Sequence, residues 1–393
     1  METLILGWYI LVETGSVLLL SLFGALLYIG TLLAPLLGVV GDRIGHRNLL
    51  GAMRAFYTVL AATLMAIALA GALSPYAVFC VAGLMGLVRP SDLGVRGALV
   101  AHTVPAEQLL GAVAVSRTTT DVARIMGALA GAGLFASFGI GAAYVVVTGL
   151  YALGLPLLLA MGRPPGGDLP VPAPARAPPA CPPPARASHW RDLVEGLALV
   201  WSTPALLAGM LLAALVNLLA FPLSNQLLPY VAREIYAVNA TGLGCLTASF
   251  AGGALLGSAA VSVRGRIAPA RAMIWSALGW FACLLVYAQM QTAWGGAAML
   301  ALAGFAQSFS MVALAVVLLG IAGGKFRGRI MGVRMLAIYS LPLGALAGGA
   351  LVDMVGFRAT GTLYALLGMV LTLAIAWHWR THLWHGDLST NGT

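Results

Sequence analysis

Apolar stretches of about twenty residues recur along nearly the whole chain, each long enough to cross the hydrocarbon core of a bilayer as a helix. They run over Val17–Gly41, Leu49–Ala72, Ala77–Arg96, Leu109–Leu134 and Gly141–Met161. They resume over Pro204–Val231, Thr241–Val263, Ala272–Met290, Trp294–Gly320, Gly332–Leu351 and Thr360–Trp379. An apolar run over Leu4–Val12 is too short to cross and reads as the outer half of a first span. With it the pattern is one of twelve spans. Only 8% of the 393 residues are charged and 61% are hydrophobic. So few charges cannot cover the surface of a water-soluble enzyme, and so much apolar side chain excludes extended disorder.

The remaining charges are placed unevenly. The net charge of +9 comes from 21 Lys and Arg against 12 Asp and Glu. Sixteen of the basic residues fall in alternate gaps between spans, and the opposite gaps hold only Arg233 and Arg358. That asymmetry assigns the basic side to the cytoplasm, and with it the C-terminus, rather than to nucleic acid. Glu13 then faces outward. The first residues carry no basic segment and no small-residue cleavage site, so no cleavable leader is expected.

The chain divides into two similar halves. Gly162–His189 holds ten of the 20 prolines and reads as an extended linker. Trp190–Trp201, with apolar residues at helical spacing on one face and Arg191, Asp192 and Glu195 on the other, reads as an interfacial amphipathic helix. Gly127–Gly139 and Gly344–Gly356 match at seven of thirteen positions, at an offset of 217. The same offset aligns Arg47 with Arg264, Arg54 with Arg271 and Arg117 with Arg334. The expected organisation is a membrane bundle over 1–161, a cytoplasmic linker over 162–189 and a second bundle, led by the amphipathic helix, over 190–393. A ligand site between parallel repeats is the arrangement of transporters.

The sequence Gly38-Val-Val-Gly-Asp42-Arg43-Ile-Gly45-His-Arg47, at the basic end of the second span, resembles the loop 2–3 signature of the major facilitator superfamily. The resemblance implies an all-α membrane protein of two pseudo-symmetric six-helix bundles, here with its first helix truncated. It also implies rocker-switch alternating access, and makes Gly38, Asp42, Arg43, Gly45 and Arg47 a conformational latch. The segments Val104–Gly133, Glu195–Leu206 and Phe326–Leu351 look like the exporter branch that includes macrolide pumps and siderophore exporters. The fifth span lacks that branch's proline, since Ala128 follows Gly127.

Charges inside a bilayer are costly and mark functional interiors. Arg117, Asp121 and Arg124 share adjoining parts of one helical face, and Arg124 lies about 22 Å into its span. They form a candidate site for an anion or a coupled proton, or a structural Arg–Asp–Arg pairing. Asp121 is the first candidate for a protonation-sensitive residue. Arg89 and Asp92 in the fourth span and Glu13 are further candidates. The second half offers only uncharged polar groups: Asn217, Asn225 and Gln226 in the seventh span, Gln307 and Ser308 in the tenth.

Other chemistry is not supported. Cys80, Cys181, Cys245 and Cys283 form no CxxC and read as apolar filler. Gly323-Gly324-Lys325 lacks the spacing of a phosphate-binding loop. His378, His382 and His385 sit among tryptophans as an interfacial belt rather than as metal ligands. No cofactor, no metal, no enzymatic activity and no nucleic-acid partner is expected. The expectation is a monomeric secondary transporter in a bacterial inner membrane. Its partners are a small molecule, protons and the lipid bilayer, and it exports a siderophore or drug by proton antiport. A proton-coupled importer of an organic anion or metabolite, and a non-transporting scaffold on the same fold, are the alternatives.

Overall fold

The computed structural model describes residues 1–30, 44–103, 109–160, 189–264, 269–321, 333–334 and 337–381. In chain order the helices are α1 (Glu2–Thr14), α2 (Val17–Leu26), α3 (His46–Leu69), α4 (Pro75–Thr103) and α5 (Leu109–Ala160). They continue with α6 (His189–Ser202), α7 (Pro204–Leu215), α8 (Ala240–Arg264), α9 (Pro269–Tyr287), α10 (Ala293–Ile321) and α11 (Ser340–His378). No strand occurs among the described residues. Seven segments among these residues are long and apolar enough to cross a membrane. The short first span is α1, of 13 residues, about 20 Å long. The amphipathic segment before the second half is helical, as α6.

Two helices carry two spans each. The backbone leaves helical geometry inside α5 at Gly139 (φ 76°) and inside α11 at Gly356 (φ 82°), so each is two helices joined at a kink. Both glycines hold a left-handed φ that a Cβ would strain. They lie 217 residues apart, at the offset of the sequence repeat. The duplication is therefore visible in the backbone as two matching reversals between consecutive spans.

The seventh span departs from a regular helix. After α7 the chain forms π-helical turns at Val216–Ala220, Pro222–Gln226 and Val231–Ile235. Pro222 and Pro229 have no N–H to donate, so the ladder shifts by one residue around them. The Leu227 N–H reaches the Pro222 carbonyl at 3.0 Å, and the Tyr236 N–H reaches that of Val231 at 3.0 Å. Such widened turns recur at functional sites.

Two apolar clusters hold the molecule together. One is built from α1 to α5 alone, through Ile5, Ile10, Phe23, Met53, Leu64, Tyr144 and their neighbours. The other fills the second half around Trp280, Phe281, Tyr287 and Phe250. Close helix contacts rest on glycines. A Cβ at Gly86 would lie 1.9 Å from the Leu26 carbonyl oxygen, and one at Gly253 would lie 1.9 Å from that of Ala301. These contacts join the second to the fourth span and the eighth to the tenth, which are equivalent pairs in the two halves.

The halves meet toward the Arg-poor side of the membrane. A Cβ at Gly244 of α8 would lie 2.4 Å from that of Ala132 in α5, and one at Gly349 of α11 would lie 2.1 Å from Ser21 Oγ in α2. Leu4 and Trp8 of α1 and Val17 of α2 pack into the second half's cluster, while Ile5, Leu6 and Ile10 of α1 pack into the first. Helix α1 is thus buried on two faces and wedged between the halves.

Candidate functional site

A cavity of about 290 Å³ lies at the junction of the halves. From the first half it is lined by Thr3 and Leu4 of α1, by Phe23, Leu27 and Tyr28 of the second span, and by Arg89 and Arg124. The second half contributes Phe221, Asn225, Gln226 and Leu228, which come from the π-helical stretch, and Thr247 of α8. The first half therefore contributes two guanidinium groups to the lining and the second half two amides, among apolar side chains from both. Gln226 Oε1 is buried without a hydrogen-bond partner, so this cavity-lining amide carries an unsatisfied acceptor. A larger groove of about 1350 Å³ runs along α7 and the end of α11, past Leu371, Leu373, Trp377 and Arg380. It is almost wholly apolar, and its exposed leucines and Trp377 are on the surface that meets lipid.

Behind Arg89 is a carboxylate that the sequence does not single out. Tyr151 Oη donates to Glu2 Oε2 at 2.9 Å, and Tyr144 Oη lies 3.4 Å from Glu2 Oε1. Tyr144 and Tyr151 are seven residues apart, two helical turns, and so share a face. The Tyr57 ring packs on Tyr151 with centroids 5.6 Å apart. Arg89 Nη1 donates to Thr3 Oγ1 at 3.1 Å, and its charge acts on the Glu2 carboxylate. Glu2 and Arg89 are thus neighbours, one facing a tyrosine pocket and the other the cavity. Glu2 stands just before the first apolar run, where an acidic residue bears on the question of a leader and on little else. The heptad pair of tyrosines in an apolar span is the available signal.

The other candidate residues separate into groups. Asp92 is held by Arg54 at 3.3 Å and by Arg96 at 2.9 Å, close to the Arg-rich end of the fourth span and apart from the cavity lining. Arg124 lines the cavity. Asp121 is buried, 3% exposed, and takes part in a polar or electrostatic interaction. Arg117 belongs to α5, but its side chain lies outside the described residues. The Thr119 and Thr120 hydroxyls donate to the carbonyls of Val115 and Ser116, each at 2.8 Å. They are therefore satisfied within their own helix. Glu13 is exposed at the end of α1.

Of the loop 2–3 signature, Gly38, Asp42 and Arg43 lie outside the described residues. Gly45 precedes α3 with φ 85°. Arg47 Nη2 donates to the Leu159 carbonyl at 2.8 Å, at the end of the sixth span. Arg47 therefore caps a helix of its own half, where a cation meets the negative end of the helix dipole. Among the described residues no group of three His, Cys, Asp or Glu could hold a metal.

No curated protein matches the chain. Solved structures do. The fold resembles that of the human organic anion transporter MFSD10 (TETRAN), with 20% identity and a TM-score of 0.65, over 91% of this chain and 83% of that one. It resembles a mutant of the nucleoside transporter NupG with 16% identity and a TM-score of 0.67, over 95% and 94%. A D-xylose-proton symporter aligns with 15% identity and a TM-score of 0.65, again over 95% and 94%. Residues 3–269, more than half of the chain, match the profile of the Major Facilitator Superfamily. This multi-pass membrane protein belongs to the Major Facilitator Superfamily of transporters.

Proposed function

We propose that the protein is a secondary transporter that moves a small organic anion together with a proton, by alternating access of the cavity between its halves. The Arg-rich face is the cytoplasmic one, in a bacterial inner membrane. The observation that carries this reading is that Arg89, which lines the cavity with Arg124 and bonds Thr3, is also within electrostatic reach of Glu2.

The sign of the coupling follows from charge. An ionised Glu2 competes with a bound anion for the field of Arg89. Protonating Glu2 removes that competitor, so it strengthens anion binding, and by linkage a bound anion strengthens proton binding. Two ligands that favour one another load together and cross in the same direction. Antiport needs the opposite sign, in which proton and substrate displace each other. The two amides Asn225 and Gln226 suit hydroxyl or carbonyl groups on the body of the anion, and Phe23, Leu27 and Phe221 suit its apolar part.

Export by proton antiport, of a siderophore or drug, is supported by the text of the Val104–Gly133 segment, which looks like that of exporters. The two readings predict opposite fluxes. Purified protein in proteoliposomes, with an imposed pH gradient, is offered a panel of labelled carboxylates, hydroxamates and catecholates. The symport reading expects accumulation on the alkaline side. Accumulation of the accepted anion on the acidic side establishes antiport and overturns it.

A further inference from the structure

Of the two basic residues on the Arg-poor side, Arg233 reaches across the junction between the halves. It stands in the π-helical turn Val231–Ile235 of the second half, and its Nη1 donates to the Leu11 carbonyl of α1 in the first half, at 2.5 Å. Its Nε also lies 3.4 Å from Glu234 Oε1, in a partly exposed ion pair. Leu11 begins the last turn of α1, and its carbonyl also accepts the N–H of Gly15, whose left-handed backbone (φ 63°) ends the helix.

The Leu11 carbonyl is thus already paired once, and the end of α1 at which it stands carries the negative end of the helix dipole, which favours a second, cationic donor. A cation usually supplied by the helix's own last turn is absent here, since α1 has no basic residue there. The other half of the molecule supplies it. The contact is three residues beyond Trp8, and Leu4 and Trp8 are the face of α1 packed into the second half's core. The seam therefore has an apolar part along α1 and a charged clasp at its outer end. To open the cavity toward the Arg-poor side, α1 must leave the second half, and the bond from Arg233 must break.

We propose that Arg233 is a gate-positioning residue: by capping α1 from the opposite half it holds the Arg-poor side shut. This does not depend on what is carried or on which ion is coupled. A charge-assisted bond of this kind, partly exposed to solvent, biases the closed over the open state by about tenfold.

The test is a distance measurement on the full chain in lipid, without substrate. The four native cysteines are replaced by alanine, and spin labels are attached at Glu13→Cys on α1 and Thr241→Cys on α8. The unaltered Arg233 background is expected to give one dominant distance. Arg233→Gln, and Arg233→Met, which keeps an apolar stem, are expected to raise the population of a longer distance about tenfold relative to the short one. Arg233→Lys, which keeps the cation, restores the short distance. A Gln or Met variant with the same distribution as the parent overturns the proposal. So does a Lys variant that behaves like the Gln variant, because the effect would then not be one of charge.

Discussion

The intramembrane charges of the first half differ in what they face, and the difference separates structural from transporting roles. Asp92 sits between two arginines, so its removal leaves Arg54 unpaired at a site where side chains are largely buried. We expect Asp92→Ala to cost about 2 kcal/mol, read as a lower melting temperature in detergent. Glu2→Gln removes the proton site and keeps the shape. Anion binding, measured by calorimetry across pH 5 to 8, should lose its pH dependence in that variant and stay at the high-affinity limit. A Glu2→Gln variant whose affinity still rises on acidification would move the proton site elsewhere. Arg124→Ala should raise the KM for the anion by about tenfold or more, since an unpaired substrate charge in a dry cavity is costly. The sequence makes Arg89 and Arg124 legible because charge within an apolar span is conspicuous. Glu2 escapes notice because it precedes the apolar run. Its role depends on Tyr144 and Tyr151, more than 140 positions away.

At the scale of elements, the spans are legible because lipid leaves the backbone few options. Their ends are less so. Charge and hydropathy do not reveal at which residue the two spans within α5 and within α11 part, and only the backbone at Gly139 and Gly356 shows it. Gly139→Ala and Gly356→Ala should each destabilise by about 1–2 kcal/mol, with similar shifts in melting temperature, because each forces a Cβ into a left-handed φ. Unequal shifts would mean that the two reversals are not equivalent. The π-helical seventh span is also out of reach. Two prolines seven residues apart signal an irregular helix, but not which carbonyls are released or that the turn places Asn225 and Gln226 on the cavity.

For the molecule as a whole, the repeat at offset 217 makes the two-bundle plan readable, and the structure adds where the bundles touch. Their seam is closed by small residues at the Arg-poor end, with Gly349 against Ser21 and Gly244 against Ala132. A bulky side chain there cannot be accommodated without parting the halves. Gly349→Leu should therefore abolish net transport while leaving the protein folded, and, with the native cysteines replaced by alanine, should open the cavity to water-soluble thiol reagents at Thr247→Cys. Protection equal to that of the parent would show that the seam is not the moving contact. The sequence could not disclose this closure, since glycine and alanine are common in every span and only packing shows which of them face the other half.

The double burial of α1 also bears on how the protein is made. Its Ile5, Leu6 and Ile10 face can pack as soon as the following spans are inserted. Its Leu4 and Trp8 face has no partner until residues such as Leu228 and Leu243 leave the ribosome. At about 5–20 residues per second that interval is on the order of ten seconds or longer. A helix whose second face waits against lipid for residues far later in the chain is locked only once the second half has begun to insert, after the rest of its own half has packed.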